Sequence, residues 1–211
     1  MTPVSPRPRF SRHLAAILVS AALLTPVCAQ NVNLADLGTI HPGFQINGID
    51  PDDSSGRSVS GAGDVNGDGL ADLIVGAPSA DPGSPARDAA GESYIVFGKT
   101  STTLVDLTSL GAGGFRIDGI DTNDLSGWSV SGAGDVNGDG LADLIVGARL
   151  ADPGSPARAS AGESYIVFGK TSSTPVDLST LGAGGFRIDG IDASDQSGDS
   201  VSGAGDVNGD G

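Results

Sequence analysis

The sequence predicts an all-β protein built from β-propeller blades of four antiparallel strands, and three observations carry that expectation. Glycine (34 residues) and proline (12) make up about a fifth of the 211-residue chain, while aromatic residues make up 4%. Such a composition suits many short strands joined by turns and not a helical core. The chain also repeats itself with a period of 71 residues. Finally, each repeat divides into four short strands, and no stretch keeps a 3.6-residue apolar period for more than about one helical turn.

The repetition sets the domain plan. Gly43–Gly113 aligns with Gly114–Gly184 without gaps at 57 identities, and Gly185 opens a third copy that differs from the second at four of its 27 positions. The units are therefore 43–113, 114–184 and 185–211, preceded by a lead-in over 30–42 and a leader over 1–29. The third copy stops inside a motif that the first two complete, so the chain is expected to be a fragment of a longer protein.

Within the first unit, Ser58–Ala62 (SVSGA) reads as a strand of small and β-branched residues. After a tight turn, Leu73–Ala77 (LIVGA) is an unbroken apolar run, as expected of a strand buried on both faces. Pro78, Pro82 and Pro85 exclude regular structure from the following loop. Ser93–Phe97 (SYIVF) is the third strand. A polar stretch carrying Leu107 and Leu110 leads to Phe115–Ile120, whose apolar residues alternate as in a fourth strand. A four-stranded unit of this size cannot bury both faces of its sheet alone, so it must stack on its neighbours, as propeller blades or as a sandwich array. Short, evenly spaced strands favour blades. Leu34, Leu37 and Gly43-Phe44 match the end of a unit, so the lead-in is expected to contribute the last strand of a blade.

Residues 1–29 read as an export signal. Arg7, Arg9, Arg12 and His13 precede the apolar run Leu14–Leu24, which is too short to span a bilayer. Val27-Cys28-Ala29 then offers a small-residue cleavage site; as a lipidation site, Cys28 has the poor lead-in Thr25-Pro26-Val27. The leader holds three of the 11 basic residues and none of the 26 acidic ones, so the remainder carries a formal charge of −18. That charge argues against nucleic acid or an anionic membrane as partner. The only cysteine lies in the leader, so an exported chain would need a staple other than a disulfide.

Calcium is the staple the sequence offers. Asp64-Val-Asn-Gly-Asp-Gly-Leu-Ala-Asp72 recurs at Asp135–Asp143, and its first six residues recur at Asp206–Gly211. Side chains at alternate positions of a tight turn converge, bringing together Asp64, Asn66 and Asp68. Gly69 permits the bend that turns the Leu70 carbonyl inward, and Asp72 closes the shell from the foot of the second strand. An all-oxygen set of this kind suits a hard cation such as Ca²⁺ and disfavours zinc or copper. The corresponding residues are Asp135, Asn137, Asp139, Leu141 and Asp143, and in the third copy Asp206, Asn208 and Asp210. The alternative is a loop in which Asp, Asn and Gly only make a turn. An EF-hand would need a closing Glu at position 12 and flanking helices; a dockerin-type module would need a helix where this chain has a β-run.

Phe97-Gly98, the DxNxDGxxD loop and Gly76-Ala77-Pro78 together resemble the FG-GAP repeats of integrin α-subunit propellers and their bacterial relatives. The second copy keeps Phe168-Gly169 but reads Gly147-Ala148-Arg149. The resemblance spans residues 31–211. It implies a seven-bladed propeller, calcium in the loops between strands 1 and 2, and a role in adhesion or extracellular recognition of a protein or glycan. The sequence carries no transmembrane anchor or adhesion insert that would make it an integrin proper.

Of the 14 differences between the complete copies, eight fall in the strand 4–1 connection or the strand 2–3 loop, which share one face of a propeller. Arg57 becomes Trp128, Ser54 becomes Leu125, and Pro78-Ser79 becomes Arg149-Leu150. Arg57, Leu125, Trp128, Arg149 and Leu150 thus form a candidate recognition face, with drift in tolerant loops as the alternative. No nucleophile is paired with a base, and there is no Gly-x-Ser-x-Gly or phosphate-cradling loop. The sequence therefore points to a calcium-dependent binding or adhesion module and not to an enzyme. The alternatives are the non-catalytic propeller of a larger secreted hydrolase, or a structural surface component.

Overall fold

The computed structural model describes residues 43–205. The leader, the lead-in and the third loop (Asp206, Asn208, Asp210) lie outside the described residues. In chain order the strands are β1 (Ile46–Asn47), β2 (Ser58–Gly63), β3 (Asp72–Ala77), β4 (Glu92–Val96), β5 (Val105–Asp106), β6 (Gly114–Asp118), β7 (Ser126–Gly134), β8 (Asp143–Ala148), β9 (Glu163–Val167), β10 (Val176–Asp177) and β11 (Gly185–Asp189). The expected strands occur within a residue or two of their sequence positions, except that β7 starts three residues early.

The sheets straddle the sequence units: the antiparallel meander β2-β3-β4-β6 takes its last strand from the start of the second unit, and β7-β8-β9-β11 takes its last from the start of the third. LIVGA lies at the centre of each, and Leu73, Ile74 and Val75 face Val96, Ile95 and Tyr94 across the ladder. A fifth strand was not foreseen. The two-residue β10 adds in parallel to the outer edge of β6, pairing Val176 with Ile117, and β5 does the same to β1. In each unit a short late strand thus pairs with the unit's own opening strand, and because β6 closes the first meander, β10 ties the chain of the second meander to the first. The polar stretch behind that short strand folds into 3₁₀ turns at Leu107–Ser109 and Leu178–Thr180. They are capped by Asp106 and Asp177, whose side chains accept the Thr108 and Ser179 amides.

The two meanders pack face to face. Ile74, Ile95, Phe115 and Ile117 of the first meander share one apolar cluster with Val130, Leu144, Val146, Tyr165 and Val167 of the second. Gly76 makes the approach close enough, because a Cβ there would lie 2.1 Å from the Gly127 carbonyl oxygen of the next unit. Residues at identical register then meet opposite fates. Val130 is 4% exposed but Val59 is 65%; Phe115 is 2% but Phe186 is 43%. The inner copy of each residue lies at the junction, and the outer copy faces away from it. This is an all-β stack of small antiparallel sheets, consistent with a partial propeller, and no ring closes among the described residues.

Candidate metal loops

The loop joining β2 to β3 is organised by its own carboxylates. Asp64 Oδ1 accepts the Gly67 and Asp68 amides at 2.8 and 3.0 Å, and Oδ2 accepts the Gly69 amide at 2.8 Å. Asn66 Oδ1 accepts the Asp68 amide while its Nδ2 donates to Asp68 Oδ2, both at 2.9 Å. Asp68 Oδ1 accepts the Leu70 amide at 2.8 Å. Gly67 and Gly69 adopt φ of 77° and 85°, which lets successive amides point inward at so few acceptors. The second loop repeats the arrangement. Asp135 takes the amides of Gly138, Asp139 and Gly140, Asn137 bridges to Asp139, and Asp139 takes the Leu141 amide.

Asp72 ties the loop to the rest of the unit. It is buried; Oδ2 accepts the Val65 amide at 2.8 Å and Oδ1 accepts the Gly98 amide at 2.7 Å. Asp143 does the same with Val136 and Gly169. Burial raises the Asp72 carboxyl above its usual range; the two amides oppose that shift, and Asp68 and Asp64 add to it. Gly98 has no room for a side chain, since a Cβ would lie 2.6 Å from both the Ala71 oxygen and Leu70 Cβ. Phe97, beside it, is buried edge-on against Phe115 at 6.1 Å. The Phe-Gly pair and the acidic loop, 26 residues apart, thus form one structural unit. The sequence shows them as parts of one repeated combination, at constant spacing in both copies, and the Asp72–Gly98 contact between them is what the fold adds.

Among the described residues, no group of three or more acidic, histidine or cysteine side chains is gathered in a metal-holding arrangement. The donor chemistry still suits a hard cation. Every loop side chain that could ligate offers oxygen, and a carboxylate has about four lone-pair sites, so even Asp64 and Asp135, each holding three amides, keep one for an ion. The first loop also touches the next unit: the Asp64 and Val65 carbonyls accept the Ala142 and Lys170 amides at 3.0 and 2.9 Å.

The divergent residues are held differently. Gly127 and Trp128 are the extra residues of a bulge between Ser126 and Ser129 in β7, and bulges re-aim the side chains they carry. Two guanidinium groups lie over the Trp128 ring, Arg57 at 4.1 Å and Arg149 at 3.6 Å from its centroid. Arg149 also pairs with Asp199 at 3.0 Å. Leu125 and Leu150 are half-buried beside this stack; their amides donate to the Ala89 and Asp124 carbonyls. On the sequence, Trp128 is one of several exposed loop residues; in the fold it is half-buried under two arginines.

Sequence reading missed a polar layer. Glu92 accepts the Tyr94 hydroxyl and pairs with Arg116, while Glu163, Tyr165 and Arg187 repeat the set. A cavity of about 410 Å³ beside Glu163 is lined by Asp121, Asp124 and Asp152. Burial pushes the Asp124 carboxyl up to about 7; the Asp121 amide opposes this and the nearby Asp121, Glu163 and Asp152 charges reinforce it.

The FG-GAP repeat family matches the chain twice, at residues 55–96 and 126–167, each from the first strand to the third. The chain is also similar to integrin alpha pat-2 of Caenorhabditis briggsae, with 34% identity over 99 residues, covering 44% of this chain and 7% of that protein. Its Caenorhabditis elegans counterpart matches at 33% over the same length and coverage. Phosphatidylinositol-glycan-specific phospholipase D of Bos taurus matches at 35% over 109 residues, covering 52% of this chain and 12% of that protein. The chain thus spans roughly a tenth of the length of these relatives.

Proposed function

We propose that the chain is a calcium-stabilised, extracellular recognition module made of propeller blades of the FG-GAP type. The observation that carries this reading is the duplicated acidic loop, with its ninth-position aspartate tied to the glycine of the Phe-Gly pair. Asp64, Asn66, Asp68, Asp72 and the Leu70 carbonyl would hold the first ion, and Asp135, Asn137, Asp139, Asp143 and the Leu141 carbonyl the second. When bound, calcium supplies positive charge to loops whose sequences carry three carboxylates apiece. The protein's part is to pre-orient those carboxylates with loop amides and to anchor the loop to the neighbouring unit. Export, a seven-bladed parent and partner binding on the face carrying Arg57, Leu125, Trp128, Arg149 and Leu150 belong to the same reading.

Calorimetric titration of the chain with Ca²⁺ tests it. Two sites or more are expected, with one lost in Asp68→Ala and another in Asp139→Ala, and a melting temperature that rises with calcium. No heat of binding, and a melting temperature indifferent to excess chelator, would sink the proposal. Similarity to a phospholipase D supports a second reading, in which these blades are the non-catalytic part of a larger hydrolase.

A further inference from the structure

Arg57, Trp128 and Asp199 occupy the same position in three successive units, each 71 residues from the last. It is one of four positions at which all three copies differ, and its residues form a continuous cross-unit stack. The Arg57 and Arg149 guanidinium groups both lie over the Trp128 ring, and Arg149 is paired with Asp199. Each contact except Trp128–Arg149 joins one unit to the next.

The other junction contacts say nothing about which unit follows which. The Val130 amide donates to Ser58 Oγ at 3.0 Å at the first junction. A Cβ on Gly76 or Gly147 would lie the same 2.1 Å from the Gly127 or Gly198 carbonyl oxygen. The apolar faces repeat as well: Phe115 and Ile117 cover the first junction, and Phe186 and Ile188 present the same surface beyond the second unit. Units this alike can stack in the wrong order, or on another chain, without losing those contacts.

We infer that the Arg57–Trp128–Arg149–Asp199 stack is an order key, which makes the native succession of units favourable and a wrong one repulsive. A first unit docked behind a second, in place of residues 197–205, would bring Arg57 where Asp199 pairs with Arg149. Two guanidinium groups would then face each other where the native junction has an ion pair. The copies differ at this position because identical residues there could not tell the junctions apart. The inference does not depend on any ligand for the divergent face.

Refolding the full chain over a range of concentrations, with species separated by size-exclusion chromatography and light scattering, tests the key. Arg57→Asp converts the wrong junction from repulsive to attractive, at an exposed site where folding itself is not at stake. It should raise the dimer and oligomer fraction several-fold, and Trp128→Leu should raise it too, with Trp128→Phe restoring the parent value. Salt screens the net negative charge of every variant, so association of the parent, in which the arginine repulsion is screened as well, should rise more steeply with salt than that of Arg57→Asp, whose attractive Asp–Arg pair is weakened. Leu150→Ser, which copies the first unit's residue at a divergent position outside the stack, should leave the fraction unchanged. If Arg57→Asp associates no more than the parent, or Leu150→Ser associates as much, the stack has no ordering role.

Discussion

Asp124 is the residue at which the local environment most changes ordinary chemistry. Its carboxyl is 8% exposed, its hydrogen bond from the Asp121 amide is long at 3.3 Å, and its charged neighbours are mostly carboxylates. With the folded value near 7 and an unfolded value of about 3.9, the unfolded chain ionises first as pH rises. The contribution of Asp124 to stability is complete below about pH 4, falls between there and about pH 7, and stays low above. Full burial would make the loss about 4 kcal/mol; solvent reaching the group through the adjacent cavity reduces it to on the order of 2 kcal/mol. Urea denaturation from pH 4 to 8 should therefore show Asp124→Asn more stable than the parent above pH 7, with a flatter profile. A variant that tracks the parent across the range would mean that Asp124 ionises freely.

At the scale of elements, the central strand of each meander is shaped for its neighbour in the next unit. Val75 and Tyr94 face each other within the first unit, while Gly76 leaves space for the Gly127 carbonyl of the second. Adding one methyl there forces the two sheets apart. Gly76→Ala should cost about 2–3 kcal/mol by strain and lost junction packing, and Gly147→Ala should cost a similar amount. Gly140→Ala, with nothing within 4 Å of its Cβ but φ of 88°, should cost only about 1 kcal/mol through backbone strain. Thermal denaturation of the three variants would reverse this account if Gly140→Ala were the most damaging.

At the scale of the molecule, stability resides at the junction more than within a unit. Phe115 and Phe186 share chain position, neighbours in sequence and strand partners, with 2% and 43% exposure. Phe115→Ala should cost about 3–5 kcal/mol, as for a fully buried aromatic residue. Phe186→Ala should cost less than about 1.5 kcal/mol, because nothing among the described residues buries it equally. Equal losses in equilibrium unfolding would show that each unit carries its core alone, contrary to the stacked arrangement.

Local patterns specify the strands and their turns. LIVGA and SYIVF are apolar runs bounded by turn residues, and DVNGDG places its acceptors within reach of its own amides, so each can be read from a few neighbouring residues. By the same logic the sequence determined the 71-residue unit and the candidate metal loops. The tie between Asp72 and Gly98, the covering of Trp128 by two arginines and the burial of Asp124 join residues from different elements or units. They became legible only once the sheets were stacked. Val59 and Val130 make the physical reason plain: their surrounding sequences are nearly the same, yet one is exposed and the other buried. Burial of a residue here depends on which unit lies beside it, and that is a property of the tertiary arrangement alone.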